Sequence, residues 1–398
     1  MISTSNANRL VDAGADRPAL PSPAEVAPQG YGGLAKRLSK PDCDVPSGFD
    51  SGSRTSGPST STYLWIGLLV GLTGLMIASI ALGSVWIAPR RVLEVLLHRT
   101  GGDGTVRTIV WSVRLPRTVT AVTAGAALSA SGLVMQTLFR NPLADSAVLG
   151  VSAGASLGVA FVVLGSSSSL VAVGRYAGAT AFSVTAAAAI GSALTLSVVL
   201  FISHRVDSPM IVLVAGVMVA TIVGAIVSVL TYFSSLDAAR SFGTWALGSF
   251  RGTSWTEVTM LFAATTVGLS AAFAMTKSLD AMLLGDRYAT SLGLNLRLVR
   301  LCSIAAAALC TGATTAFCGP IGFLGIAVPH LARGLVKTGR HRTLLTATVL
   351  IGATMALGCE LIAQWPGDDR VLPINAITAL IGAPVVLSVL LRTRRTPN

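Results

Sequence analysis

Four histidines, five cysteines and one carboxylate set deep in an apolar run are the residues of this chain whose types could do chemistry. Cys302, Cys310 and Cys318 share one apolar segment, with no CxxC spacing and no histidine placed to join them, so they read as small buried hydrophobes and no metal site is expected. His98, His204, His330 and His341 fall at the ends of apolar runs or in the links between them, where none is paired with a nucleophile. No covalent chemistry is expected. Glu360 is the carboxylate inside an apolar run, and the sequence puts no lysine or histidine beside it to form a proton-coupling pair of the kind a secondary transporter needs. A phosphate-cradling GxxxxGK[ST] loop is missing, so any nucleotide-driven work needs a separate subunit.

The elements that carry these residues are membrane spans. Of 398 residues, 52% are hydrophobic and 12% charged, against about 25% charged in an ordinary soluble domain. Runs of about 20 residues without charge recur along the chain, which is the length needed to cross a bilayer as helix. A formal charge of +12 could suggest nucleic acid, but the arginines sit in short links between apolar runs rather than on one soluble face. Residues 1–61 differ from the rest: rich in Pro, Gly, Ser and Asp, charge-balanced and without an apolar signal segment, they read as a disordered cytoplasmic tail.

Residues 62–398 hold ten candidate spans, near 63–88, 118–139, 147–165, 177–203, 210–233, 255–276, 299–318, 322–337, 343–365 and 374–392. An even count puts both termini on one side. Placing them in the cytoplasm leaves Lys277, Arg287, Arg297, Arg300, Arg333, Lys337, Arg340, Arg342, Arg392, Arg394 and Arg395 inside and, after Thr276, Arg370 alone outside. That bias is the one expected of a multi-pass protein of the cell membrane. Earlier in the chain the outer link after the first span is itself basic.

One apolar stretch is broken where a plain span would not be. "FCGPIGFLGIAVPHLARG" (317–334) carries glycines and prolines within a hydrophobic run, and "TLFRNPLADSAVLGVSAGA" (137–155) echoes "TAFCGPIGFLGIAVPHLA" (315–332): Phe, a small or polar residue, x-Pro, then Leu-Gly and small residues. The two are five spans apart, an odd offset that reverses orientation, so spans 2–5 and 7–10 form an inverted repeat, the construction of alternating-access transporters. Irregular backbone at membrane depth is tolerated where protein or a water-filled cavity satisfies it. The isolated glycines of spans 4 to 6 read as packing residues.

Four blocks in order, "RLPRTVTAVTAGAALSASGLVMQTLFRNPLADSAVLGVSAGAS" (114–156), "LLGDRYATSLG" (283–293), "GPIGFLGIAVPHLAR" (319–333) and "LPINAITALIGAPVVLSVLLR" (372–392), resemble the FecCD family. The resemblance implies an all-α polytopic fold of type II ABC importer permease architecture. It further implies an inner-membrane permease subunit without enzymatic activity, in an importer of iron-siderophore complexes, with haem and cobalamin as alternatives. The implied partners are a cassette ATPase dimer that binds ATP and Mg, an extracytoplasmic substrate-binding protein and a second permease subunit. No cofactor is implied for this chain.

Residue roles follow from the same resemblance. Arg114 and Arg117 are expected as exposed cations one turn apart that receive acidic residues of the binding protein. Gln364 stands where a third docking arginine is expected, with Arg370 as its substitute. Asn141 and Leu143 match a cytoplasmic gate, with Ser208 on the opposing lip. Leu284, Gly285, Asp286, Arg287, Leu292 and Gly293 match the loop that couples to the ATPase, with Arg287 and Tyr288 in place of the usual acid after Gly-Asp. Gly319, Pro320, Gly322 and Phe323 form the turn between spans seven and eight, and Pro329, His330 and Arg333 lead the chain back to the cytoplasmic surface.

Overall fold

A computed structural model of the protein describes residues 60–83, 86–97, 104–165, 181–206, 208–364 and 371–393. The expected disordered tail lies outside them, except that Thr60 and Ser61 already belong to the first helix. Among the described residues the regular structure is helical throughout. The first half comprises α1 (Thr60–Ala81), α2 (Pro89–Leu97), α3 (Gly104–Thr108), α4 (Leu115–Leu138), α5 (Val151–Val163), α6 (Ala181–Arg205) and α7 (Pro209–Tyr232). After α8 (Leu236–Ala246) come α9 (Trp255–Ala274), α10 (Thr276–Leu283), α11 (Asp286–Ser291), α12 (Leu296–Cys318), α13 (Leu324–Val336), α14 (His341–Ala363) and α15 (Ile374–Thr393).

Seven helical stretches are long and apolar enough to cross a membrane, and Val151–Val163, Leu324–Val336 and Ile374–Ser388 are shorter apolar helices. Together they occupy the ten expected spans. The two short helices that follow the echoed junctions, α5 and α13, both have 13 residues, as repeat counterparts should.

Helix α4 is the axis of the bundle, packed against α9, α12, α13 and α14 and buried for almost its whole length. It continues from α3 through a π-helical turn, Ile109–Arg114, in which the Leu115 amide reaches back to the Val110 carbonyl. Pro116 is the cause we assign to that widening: it has no amide to offer the preceding turn, and its ring crowds the carbonyl four residues back.

Backbone meets backbone where Cβ atoms are missing. A Cβ built on Gly132 would stand 1.9 Å from the Gly325 carbonyl oxygen of α13, and one on Gly125 would stand 2.3 Å from that of Gly352 in α14. Gly191 lies equally close to Gly154, and Gly268 to the Cys310 sulfur, so the packing reading holds at these positions; Gly224 faces open space. Phe182, Ile190, Leu194 and Phe201 of α6 and Ile211, Met218 and Ile222 of α7 point outward. A continuous apolar exterior of this kind suits hydrocarbon and not water.

The broken apolar stretch now has a structural account. α12 stops at Cys318 because Gly319 takes φ +74°, and a Cβ there would meet the Trp245 carbonyl oxygen at 2.5 Å. Phe323, at φ +67°, turns the chain into α13, while the Gly322 amide donates to Asn375 Oδ1 at 3.0 Å. Within α13, Pro329 leaves the Gly325 carbonyl without its usual helical donor. Gln136 Nε2 of α4 supplies one at 3.3 Å and reaches the Ile326 carbonyl at 3.2 Å.

Candidate functional site

The chemistry-bearing residues collect at the two ends of the bundle. At the end where α4 finishes, the inner end by the sequence expectation, the two echoed junctions interlock. Arg333 donates to Gln136 Oε1 at 2.6 Å, and His330 Nε2 lies 2.9 Å from the Pro142 carbonyl oxygen. The second junction thus holds the loop of the first. That loop starts at Arg140, a non-glycine residue at φ +47°, and is turned by Asn141, whose Oδ1 accepts the Leu143 amide at 2.9 Å. Leu143 is left exposed.

The helical hairpin α10–α11 abuts this loop. Gly285, at φ +110°, makes the turn between its arms, and Gly293, at φ +81°, ends the second. Asp286 opens α11, and Arg140 donates to its Oδ1 at 2.6 Å and to the Met282 carbonyl at 3.1 Å. A second connection runs through the buried His341. Asp280 Oδ1 accepts from the His341 backbone amide at 2.9 Å and lies 2.6 Å from His341 Nδ1, while His341 Nε2 lies 2.9 Å from Thr137 Oγ1. The hairpin is therefore joined to the gate loop at Arg140 and, through His341, to the end of α4 at Thr137. The hairpin also exposes Leu284, Tyr288 and Leu292, with Arg287 among them.

Acid, imidazole and hydroxyl stand here in the order used for acyl transfer. Thr137 is nearly fully buried, however, and its hydroxyl already donates to the Leu133 carbonyl at 3.0 Å, so no substrate can reach it. The trio braces three helices. Sequence reasoning left His341 as a residue in a link and missed its partners, because Asp280 and Thr137 are 61 and 204 residues away.

The opposite end contradicts one expectation. Arg114 and Arg117 are not exposed: they retain 3% and 6% of their surface. Arg114 Nη1 donates to the carbonyls of Ile80 and Ala81, at 2.7 and 2.9 Å, where α1 runs out of helical partners for them. Arg117 Nε lies 2.7 Å from Glu360 Oε1 of α14. Ser79 donates to the other oxygen of Glu360 at 3.0 Å, and Gln364 holds Oε1. The carboxylate that looked solitary in sequence is thus paired with a cation from another span. Both residues still border a cavity of about 250 Å³, together with Gly83, Arg251 and Gly252.

The other site residues divide as follows. Ser208 precedes α7, and no hydrogen bond among the described residues joins it to the Asn141–Leu143 loop. Gly319, Pro320, Gly322 and Phe323 form the expected turn. Arg370 lies outside the described residues. No group of three or more His, Cys, Asp or Glu side chains suited to a metal occurs among the described residues.

Comparison with known proteins agrees with this architecture. The family model of the FecCD transport family matches residues 69–392. The vitamin B12 import system permease protein BtuC of Klebsiella pneumoniae is 34% identical over 83% of this chain and 94% of its own. The hemin transport system permease protein HmuU of Yersinia pestis is 33% identical over 82% and 96%. A solved metal-chelate type ABC transporter in an inward-facing conformation superposes with a TM-score of 0.72, at 27% identity over 84% of this chain and 99% of that one.

Proposed function

The chain belongs to the FecCD transport family, and from that premise we propose that it forms the translocation path of an ATP-driven importer of bulky metal chelates. As a member of that family it is a polytopic membrane transport subunit and not an enzyme. In this reading both termini face the cytoplasm, two permease subunits enclose the path, and a separate ATPase dimer binds ATP and Mg. A binding protein delivers the cargo from outside.

The observation that carries the reading is the tether between the exposed hairpin and the gate loop. Leu284, Tyr288 and Leu292 give the hairpin an apolar surface for a groove of the ATPase, and Arg140–Asp286 ties its second helix to the segment Asn141–Leu143. Movement of the ATPases is delivered to the gate through a short, direct connection. Asn141 and Leu143 act at that gate, with Ser208 opposite. Gly285 and Gly293 set the hairpin's two bends, and Leu284, Asp286, Arg287 and Leu292 meet the ATPase or the gate. Arg114 and Arg117, with Arg370, belong to the face on which the binding protein docks; for the first two, burial limits the role to shaping and charging that face.

Ferric siderophore is the proposed cargo, as the commonest in the family by resemblance; haem and vitamin B12 are supported equally by the relatives' names. Parallel uptake of a ferric siderophore, haem and cobalamin into vesicles holding the assembled importer tests this. Fastest accumulation of the siderophore is expected. Uptake of haem or cobalamin alone would transfer the cargo to that alternative, and uptake of none would contradict the class.

A further inference from the structure

The first echoed junction holds an acid that neither the gate nor the hairpin uses. Asp145, two residues past Leu143, is buried, and among the described residues no lysine, arginine or histidine lies within ion-pair distance of it. Its neighbour Gly325 of α13 has no side chain to offer: a Cβ there would stand 2.5 Å from Asp145 Oδ1. The positive character it meets comes from the amides of Ser146 and Ala147 and from the Ser146 hydroxyl, 3.3 Å from Oδ1. A buried carboxylate in a bilayer protein is ordinarily matched by a cation, as Glu360 is by Arg117.

Three hydroxyls close around the same point. Ser131 of α4, Ser146 of the junction and Thr311 of α12 are all buried. Ser131 Oγ lies 2.9 Å from Ser146 Oγ and 3.0 Å from Thr311 Oγ1, and Ser146 Oγ contacts Thr311 Oγ1 directly. Ser131 Oγ is also 2.9 Å from the Leu128 carbonyl oxygen, and Ser146 Oγ reaches the carboxylate. These are five contacts between oxygens, and each of the three hydroxyls brings a single proton. At least two of the contacts therefore set lone pair against lone pair in a buried site, an arrangement that a further positive charge relieves.

We propose that this oxygen cluster binds a sodium ion, with Asp145 as the charged ligand and Ser131, Ser146, Thr311 and the Leu128 carbonyl as neutral ones. Carboxylate, hydroxyl and carbonyl oxygens are hard ligands, suited to alkali and alkaline-earth ions rather than to softer metals. One carboxylate balances one positive charge, whereas a divalent ion would leave a net charge buried. Close packing favours a small ion over a large one. Gly132, next to Ser131, brings α4 so near α13 that a Cβ would meet the Gly325 carbonyl oxygen at 1.9 Å. Bound there, the ion joins α4 and α12 to both echoed junctions, because Asp145 belongs to the first and lies against Gly325 of the second.

The test uses the purified full-length permease in detergent at fixed ionic strength, with choline replacing sodium, and reads the thermal midpoint and the binding of radioactive sodium. The wild type is expected to bind one sodium per chain and to melt at a temperature that rises with sodium and then saturates, with potassium needing at least about tenfold more to do the same. T311V removes one ligand at nearly constant volume and should weaken sodium binding at least about tenfold, and D145N should abolish the response. T314V makes the same change at a buried hydroxyl of α12 that donates to the Cys310 carbonyl outside the cluster, and it should keep the wild-type response. Bound sodium is counted on the wild type itself, so the result stands even where D145N does not fold. A wild type that binds no sodium and melts equally in choline, potassium that replaces sodium at equal concentration, or T311V binding within about twofold of T314V would overturn the proposal while leaving the import function standing.

Discussion

Arg140 and Asp286 meet at 2.6 Å across the boundary between the end of α4 and the start of α11, two segments that are 146 residues apart in sequence. Both side chains are about half exposed, at 54% and 48%. A pair of that exposure contributes about 0.2–1 kcal/mol to stability, too little to be a structural requirement. Its position between the hairpin and the gate loop gives it a mechanical role in the proposed importer. Arg140→Ala is therefore expected to lower the cargo moved per ATP hydrolysed several-fold, with a thermal midpoint close to that of the wild type. The paired reversal, Arg140→Asp with Asp286→Arg, should recover part of the coupling. Unchanged stoichiometry in Arg140→Ala, measured by uptake and phosphate release on one sample, would show that the connection transmits nothing.

Arg117 and Glu360 form a different kind of pair. Their side chains are 7% and 3% exposed, so removing either charge leaves the other uncompensated in a low-dielectric interior, a loss of about 3–5 kcal/mol. Glu360→Ala and Arg117→Ala should each lower the thermal midpoint of the purified permease by much more than Arg140→Ala does. Thermal melts in one detergent check this, and the double substitution should be less damaging than the sum of the single ones. Additive losses would show that the two residues do not stabilise one another.

Gly132 permits a close crossing of α4 and α13. A Cβ at this position would lie 1.9 Å from the Gly325 carbonyl oxygen and 2.4 Å from its carbon, both backbone atoms that no rotamer change can move away. The same carbonyl is the one left without a helical donor by Pro329 and held by Gln136. Gly132→Ala is expected to separate α4 from α13, break that hydrogen bond and destabilise the permease by about 1–3 kcal/mol or more. Gly224→Ala, at a position with nothing nearby, should be silent in the same thermal assay. Equal behaviour of the two variants would refute the close-crossing account.

Much of the fold was legible because hydropathy and chain length act locally. Ten apolar runs became seven long helices and three short ones, and the echo between 137–155 and 315–332 marked both irregular junctions before any contact was known. What could not be read was which distant side chains meet. Glu360 looked solitary because its cation lies on α4, and His341 looked like a link residue because Asp280 and Thr137 arrive from other helices. Arg114 and Arg117 were expected to be exposed because the resemblance gives them a docking role. The end of α1 and α14 cover them instead, a tertiary effect with no signature in local composition.

The account's central claim is that movement through this chain is driven by nucleotide acting on a separate subunit. The most direct measurement is cargo uptake into proteoliposomes that hold the permease with its ATPase, with ATP, binding protein and a protonophore each added or withheld. The account predicts uptake that requires ATP and binding protein together and that survives the protonophore. Uptake driven by a pH gradient without nucleotide, abolished by the protonophore, would contradict it.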